Sequence, residues 1–484
     1  MKLLRKIIFV FILDLFKLEV YNVDMNILKS KRIDYSNATL PKTSKLFSNA
    51  LRISLPAAME TFFIGLIGMV DTIMVGRFSD KALAAIAISQ QPVMITLAAS
   101  MGINAGIIAI ISRRKGENKK AEANHTLRQS LILSSIVSII ITVLALTFSK
   151  PLLQFAGAKS DTIDLAQNYF NIVSLGLIFN YLRLSITSAQ RSIGNTHITL
   201  ITNVIANLVN IVLNYLLITG NFGFPRLGVA GAAIATVIGN MVALMISVIS
   251  IYNRKGFLSI KITDDWKPDV EAYKHIFEVA KGAFIEQLFM RIGFFIIAKI
   301  VNDLGTNEAA TNAIISTVMG ISFNITDGFA IGASTLVGNS LGEKNEAKAF
   351  AYGRISQILA VFIALIMMSV TIVFRIPLAN LFTTEKHIVS EAGKLLLYTS
   401  IIMLPQSIQW VTTGVLRGSG DTKYTARSSL ISIVFVRPVI AYVLCYPIGL
   451  GLIGSWMGMF VDQNLRLILN NKRFTSLKWM EIKV

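Results

Sequence analysis

The chain reads as an all-α integral membrane protein, with twelve transmembrane helices in two pseudo-symmetric lobes of six. Three observations predict this. Hydrophobic residues make up 54% of the 484 and charged residues only 15%, against about 25% charged in soluble domains. Mean hydropathy is +0.63, and a spanning helix takes roughly 20 apolar residues. The chain is also written twice. Adding 226 to a residue number carries Gly102 and Gly106 to Gly328 and Gly332, Gly116-Glu117 to Gly342-Glu343, and the Arg191–Thr196 turn to Arg417–Thr422, without drift from Glu60/Glu286 onward. Repeated apolar units are a common transporter build, with the substrate site where the halves meet.

Apolar runs bounded by polar turns place the spans at about 46–75, 83–112, 127–148, 164–188, 197–219, 227–252, 275–302, 309–338, 354–374, 391–416, 424–445 and 449–470. Residues 46–253 form an N-lobe and 275–470 a C-lobe. The polar stretch 254–274, with Lys261, Asp264, Asp265, Lys267 and Asp269, links them. Residues 1–45 are expected to be a cytoplasmic extension. Within it, 1–24 are read as a non-essential leader before Met25: the run Ile7–Leu13 is too short to span and no small-residue cleavage site follows. Residues 471–484 form a cytoplasmic tail.

Basic residues set the orientation. Arg113, Arg114, Lys115, Lys119 and Lys120 follow span two, Arg254 and Lys255 follow span six, Lys344 and Lys348 follow span eight, and Lys472, Arg473 and Lys478 close the chain. The alternate loops are poorer in Lys and Arg, which puts both termini in the cytoplasm of a multi-pass plasma-membrane protein. The same asymmetry accounts for the net charge of +19 without a nucleic-acid partner. The expected partners are the bilayer and a small organic substrate, and a monomer suffices. No catalytic or metal constellation is visible: Cys445 is the only cysteine, and His125, His197, His275 and His387 sit in or beside polar loops. An enzyme would need a nucleophile with its base, or clustered ligands, inside the spans. No phosphate-binding Gly-rich loop points to ATP.

Ionisable groups inside hydrocarbon are costly and commonly functional. The acids noted within the spans are Glu60, Asp71, Glu286 and Asp327. Glu60 and Asp71 are 11 residues apart, nearly three whole turns, so they share a helix face about 16 Å apart. Glu286 is the repeat partner of Glu60, whereas Asp71 meets Ile297. Asn203, Asn207, Asn210 and Asn214 form one stripe on span five that the second half lacks. Such a stripe glues helices, or makes an oxygen-rich pocket for a small hard cation beside Asp71. Burial pushes a carboxylate toward its neutral form, so an acid there holds a proton or pairs with Na⁺, and its occupancy can bias which way a cavity faces. Pro56 frees a backbone carbonyl in span one and is a candidate hinge. The Arg191 and Arg417 turns are read as headgroup-depth anchors. Some of the Met and Phe residues would give a cavity an adaptable lining.

Val70-Asp71-Thr72-Ile73-Met74-Val75-Gly76, Asn210–Tyr215, Gly228–Thr236, Leu416–Thr422 and the closing Arg473-Phe474 to Lys478-Trp479 together resemble the multidrug and toxic compound extrusion family, from about Leu46 to Trp479. The resemblance implies an antiporter exporting small organic, chiefly cationic, compounds in exchange for H⁺ or Na⁺, with no other cofactor. It places the coupling acid on Asp71, which would be the Na⁺ ligand of a sodium-coupled protein. Asn210, Asn214 and Thr236 are its polar partners. Glu286 and Asp327 are second-lobe candidates. Span ten offers Gln406 and Gln409, taken with Glu60 as substrate-cavity candidates. A flippase for lipid-linked saccharides is the alternative. Its anionic cargo calls for a cationic cavity, whereas the acids of these spans predict an acidic one.

Overall fold

The computed structural model describes residues 41–482 apart from 77–78, 161, 253–255 and 384, and of side chains omits those of 69–73, 80 and 306. Most of the amino-terminal extension, the leader included, therefore lies outside the described residues. The helices run α1 (Thr43–Gly76), α2 (Asp80–Gly116), α3 (Lys120–Thr147), α4 (Ser149–Phe155), α5 (Ile163–Leu175), α6 (Leu177–Ser192), α7 (Thr196–Leu217), α8 (Val229–Ile251), α9 (Val270–Asn302), α10 (Thr306–Gly342), α11 (Glu346–Asn380), α12 (Lys386–Thr399), α13 (Met403–Gly418), α14 (Thr422–Ser429), α15 (Arg437–Cys445) and α16 (Gly451–Thr475). With α5 and α6, α12 and α13, and α14 and α15 each taken as one broken span, these make twelve crossings in two lobes of six.

Among the described residues, nine of these spans are long and apolar enough to cross a membrane by composition, and the bent α5–α6 pair makes ten. The other two, α9 and α16, have the length but carry more charge, including Glu286 and Arg291 on α9 and Asp462 and Arg466 on α16. Those charges face protein rather than lipid, which is why composition alone undercounts.

The breaks have local causes. Between α5 and α6 the axis turns by 49° at Gly176, where a Cβ would come within 2.5 Å of Val237. The repeat-equivalent place in the C-lobe is a 3₁₀ turn, Ser400–Ile402. A π-helical stretch, Leu430–Val436, precedes Pro438; lacking an N–H, Pro438 cannot close the regular ladder, and the helix widens for a turn. By contrast α1 runs through Pro56, the expected hinge, as one helix.

The lobes meet along α1 against α10 and α2 against α9 and α10. This contact explains the repeated glycines. A Cβ on Gly102 would stand 2.8 Å from the Ala280 carbonyl oxygen and one on Gly106 3.0 Å from that of Ile276. Their counterparts Gly328 and Gly332 are pressed onto Ala58 and Ser54. Nearer the basic loops, Gly116 lies on the Asn339 carbonyl and Gly342 on that of Arg113. These two contacts exchange under the 226-residue offset, so a pseudo-twofold axis passes between α2 and α10. Gly328→Val is expected to destabilise the protein by about 1–3 kcal/mol through overpacking. Gly320→Ala, in open space on the same helix, should be neutral or stabilising by up to about 1 kcal/mol. Thermal unfolding of the purified variants in detergent checks both.

The charged linker packs against the start of α3. Asn124 bonds the Phe257 carbonyl at 3.0 Å and the Ser259 N–H at 2.7 Å, and Gln129 bonds Lys267 and Asp269. His125 shares a 2.9 Å hydrogen bond with Asp269 and holds that carboxyl below its usual range. The carboxyl-terminal tail is docked too. Phe474 stacks between Phe350 and Trp479, Trp479 is wholly buried, and the Ile482 carbonyl accepts from Arg113 Nη1 across the lobe boundary at 2.7 Å.

Candidate functional site

Each lobe buries one carboxylate in an equivalent cage. In the N-lobe Glu60 is wholly buried on α1. It pairs with Arg191 at the end of α6, accepts from Thr199 Oγ1 at 2.8 Å and from Asn203 Nδ2 at 2.5 Å. The two α7 partners are four residues apart, hence on one face. Arg183 backs the cage by donating to Asn203 Oδ1 at 2.6 Å and Asn180 Oδ1 at 2.8 Å. In the C-lobe Glu286 meets Arg417 Nη2 at 3.1 Å, Thr425 Oγ1 at 2.8 Å and Ser429 Oγ at 3.1 Å. Every member is displaced by 226: 60 to 286, 191 to 417, 199 to 425, 203 to 429. Arg191 and Arg417 are thus not headgroup anchors. They turn inward because a buried carboxylate needs a counter-charge far more than a helix end needs an anchor.

The asparagine stripe of α7 divides. Asn203 belongs to the Glu60 cage. Further along, Asn214 Nδ2 donates to Asn210 Oδ1 at 3.1 Å, and Asn210 Nδ2 to Thr236 Oγ1 of α8 at 3.4 Å. Asn210, Asn214 and Thr236 are therefore brought together. Asp71 lies in α1, its side chain outside the described residues. Helix register still fixes its depth. α1 and α7 pack together, both leave the basic end, and 11 residues separate Glu60 from Asp71 as they separate Asn203 from Asn214. The backbone of Asp71 consequently sits level with Asn214.

A cavity of about 300 Å³ opens between the lobes. From α2 and α6 it receives Met101, Asn104 and Leu184; from α9, α10 and α13 it receives Arg291, Asp327 and Trp410. The Trp410 indole N–H donates to Asp327 Oδ1 at 2.9 Å, its ring packs on Phe323 at 4.6 Å between centroids, and the Arg417 guanidinium lies 5.1 Å from it. The acidic cavity expected from the spans is not what the described residues form: among them the charged side chains on its wall are Arg191, Arg291, Arg417 and Asp327. Two of the arginines are neutralised by Glu60 and Glu286 behind them.

Glu60, Gln406 and Gln409, expected at the substrate cavity, do not line this one. Glu60 is closed inside its cage. Gln406 and Gln409 are buried repeat counterparts of Asn180 and Arg183, on the inward face of α13, where Gln409 Nε2 donates to Gln463 Oε1 at 2.9 Å. The cavity face of that helix carries Trp410, Gly414 and Arg417 instead. One buried acid within a span escaped the sequence reading. Asp462 on α16 is fully buried, bonded to both Arg466 Nε and Nη2 at 3.1 Å and to Ser432. The acid-to-arginine spacing of four along span twelve was the available signal.

The family model described as MatE matches residues 56–216 and again 283–443, one copy per lobe. The chain belongs to the MatE family. MatE proteins are membrane transporters, which accounts for a chain folded into paired helical lobes around a cavity. Similar relatives include "Probable multidrug resistance protein NorM" of Thermotoga maritima, 26% identical over 91% of this chain and 95% of that protein. "Uncharacterized transporter YisQ" of Bacillus subtilis is 27% identical over 91% and 96%. Among solved structures, "Outward-facing conformation of a multidrug resistance MATE family transporter of the MOP superfamily" superposes with a TM-score of 0.83 at 23% identity, covering 91% of this chain and 99% of that one. That likeness shows the twelve-helix, two-lobe fold.

Proposed function

We propose that this MatE chain is a secondary antiporter of the plasma membrane that exports small organic compounds bearing a positive group, multidrug fashion, in exchange for H⁺ or Na⁺. The observation that carries this reading is the cavity at the lobe boundary. Beyond Ile108 and Ser334, α2 and α10 leave its wall and meet at Gly116 and Gly342, beside the basic loops. With those loops in the cytoplasm, the contact seals the cavity from inside, and both termini are cytoplasmic. Relatives named for multidrug resistance support the breadth of cargo. In this reading 46–253 and 275–470 are the two moving lobes, and one chain supplies the cavity lining, so a monomer suffices.

Coupling falls to Asp71 with Asn210, Asn214 and Thr236. Three polar side chains at the depth of one acid's backbone would offer oxygen ligands to Na⁺, or a site where a proton is held by desolvation. Glu286 has a fixed arginine and serves as scaffold; Asp327, open to the cavity, is the C-lobe acid that meets cargo. The lipid-linked saccharide flippase is the weaker reading, because about 300 Å³ is at the low end for a drug-sized ligand and two wall arginines are already neutralised. The test is ethidium release from proteoliposomes under an imposed pH or Na⁺ gradient. Release driven by at least one gradient is expected; flux that requires ATP would exclude an antiporter.

A further inference from the structure

Once the paired charges are set aside, the cavity retains, among the described residues, one cation, Arg291, and one anion, Asp327. No ion pair within 4.0 Å joins them or gives Arg291 another partner among the described residues. Arginine stays protonated under any physiological condition, and a charge in a membrane interior is costly without a counter-ion. Its Nε is buried with no acceptor, and the Asn104 Oδ1, on the neighbouring helix α2, is buried with no donor. Donor and acceptor demands thus remain unmet at two places on the lining of one cavity.

The 226-residue repeat separates scaffold from function here. The glutamate–arginine cages occur in both lobes. The equivalents of Arg291, Asp327 and Trp410 are Gly65, Met101 and Leu184, so the N-lobe wall is apolar where the C-lobe wall is charged and aromatic. The cages recur in both lobes; this charged wall belongs to one lobe only.

We propose that Arg291 is a specificity-determining residue that takes the carboxylate of a zwitterionic, flat aromatic substrate, with Asp327 and Asn104 taking its cationic or N–H donor end. The guanidinium fork suits a planar carboxylate through two parallel hydrogen bonds. The body of the ligand lies between Trp410 and the apolar wall of Met101 and Leu184. This inference rests on the export reading and narrows it from organic cations to compounds carrying both signs.

The test uses two dyes differing at one group: rhodamine 110, with a free carboxylate, and rhodamine 123, its methyl ester. Binding to the purified full-length protein is read by fluorescence anisotropy, and export from proteoliposomes separately. The wild type should bind the free acid about tenfold more tightly than the ester. Arg291→Gln should remove that preference by weakening the acid alone, Arg291→Lys should keep part of it, and Asp327→Asn should weaken both dyes. Equal affinity for the two dyes, or an Arg291→Gln protein that loses both alike, overturns the proposal. Export stands independently of that outcome if either dye moves under a gradient, and falls if neither does.

Discussion

Asp71→Asn is expected to cut gradient-driven ethidium release by about ten- to a hundredfold, the scale of a coupling free energy of about 1–3 kcal/mol, while leaving the protein folded. Asparagine keeps the size and the hydrogen-bonding capacity but cannot change charge. The lobes would then have no ion-dependent reason to prefer one facing over the other. Dye binding should survive, because the cavity residues Arg291, Asp327 and Trp410 lie in the other lobe. Initial release rates under pH and Na⁺ gradients, compared with the wild type at matched reconstitution, decide it. Whichever gradient loses its effect names the coupling ion. Undiminished release under both gradients would remove Asp71 from the mechanism.

Glu286→Gln should act on stability instead, lowering it by about 3 kcal/mol, the lower part of the range for breaking a buried pair. Glu286 is 1% exposed and Arg417 19%; the partial access of water to the guanidinium keeps the loss from being larger. The amide would turn donor toward donor against Arg417 and leave a cation with nothing opposite. Removing both charges in Glu286→Gln/Arg417→Met should restore at least half of the loss, since a missing pair is tolerated better than a broken one. Glu60→Gln should behave likewise through Arg191, because the cages are copies. Denaturation midpoints in detergent check the cycle. A single variant within about 0.5 kcal/mol of wild type would show that the cage does not bear on stability.

The parts of the site that sequence revealed follow from periodicity. Asn210 and Asn214 share a helix face because they are four apart, and Thr236 meets them as the resemblance implied. The parts it hid depend on direction rather than position. Arg191 and Arg417 end their helices at basic turns, where an arginine can reach outward to headgroups or inward to an acid, and spacing along the chain does not choose. Gln406 and Gln409 look like cavity residues by depth; rotation of α13 puts Trp410 on the wall and turns both glutamines into the lobe. Asp462 needed a search for acid–arginine pairs inside a span, not a count of isolated acids.

By itself the amino-acid order determined the membrane class, the twelve spans, the duplication and the level at which Asp71 sits, because hydropathy, repeat offset and helical rise are all linear in residue number. Only the tertiary structure decided which charges cancel. Neutralisation depends on distances between helices far apart in the chain, and those distances place Glu60 and Glu286 against arginines while leaving Arg291 and Asp327 on the same cavity without pairing to each other.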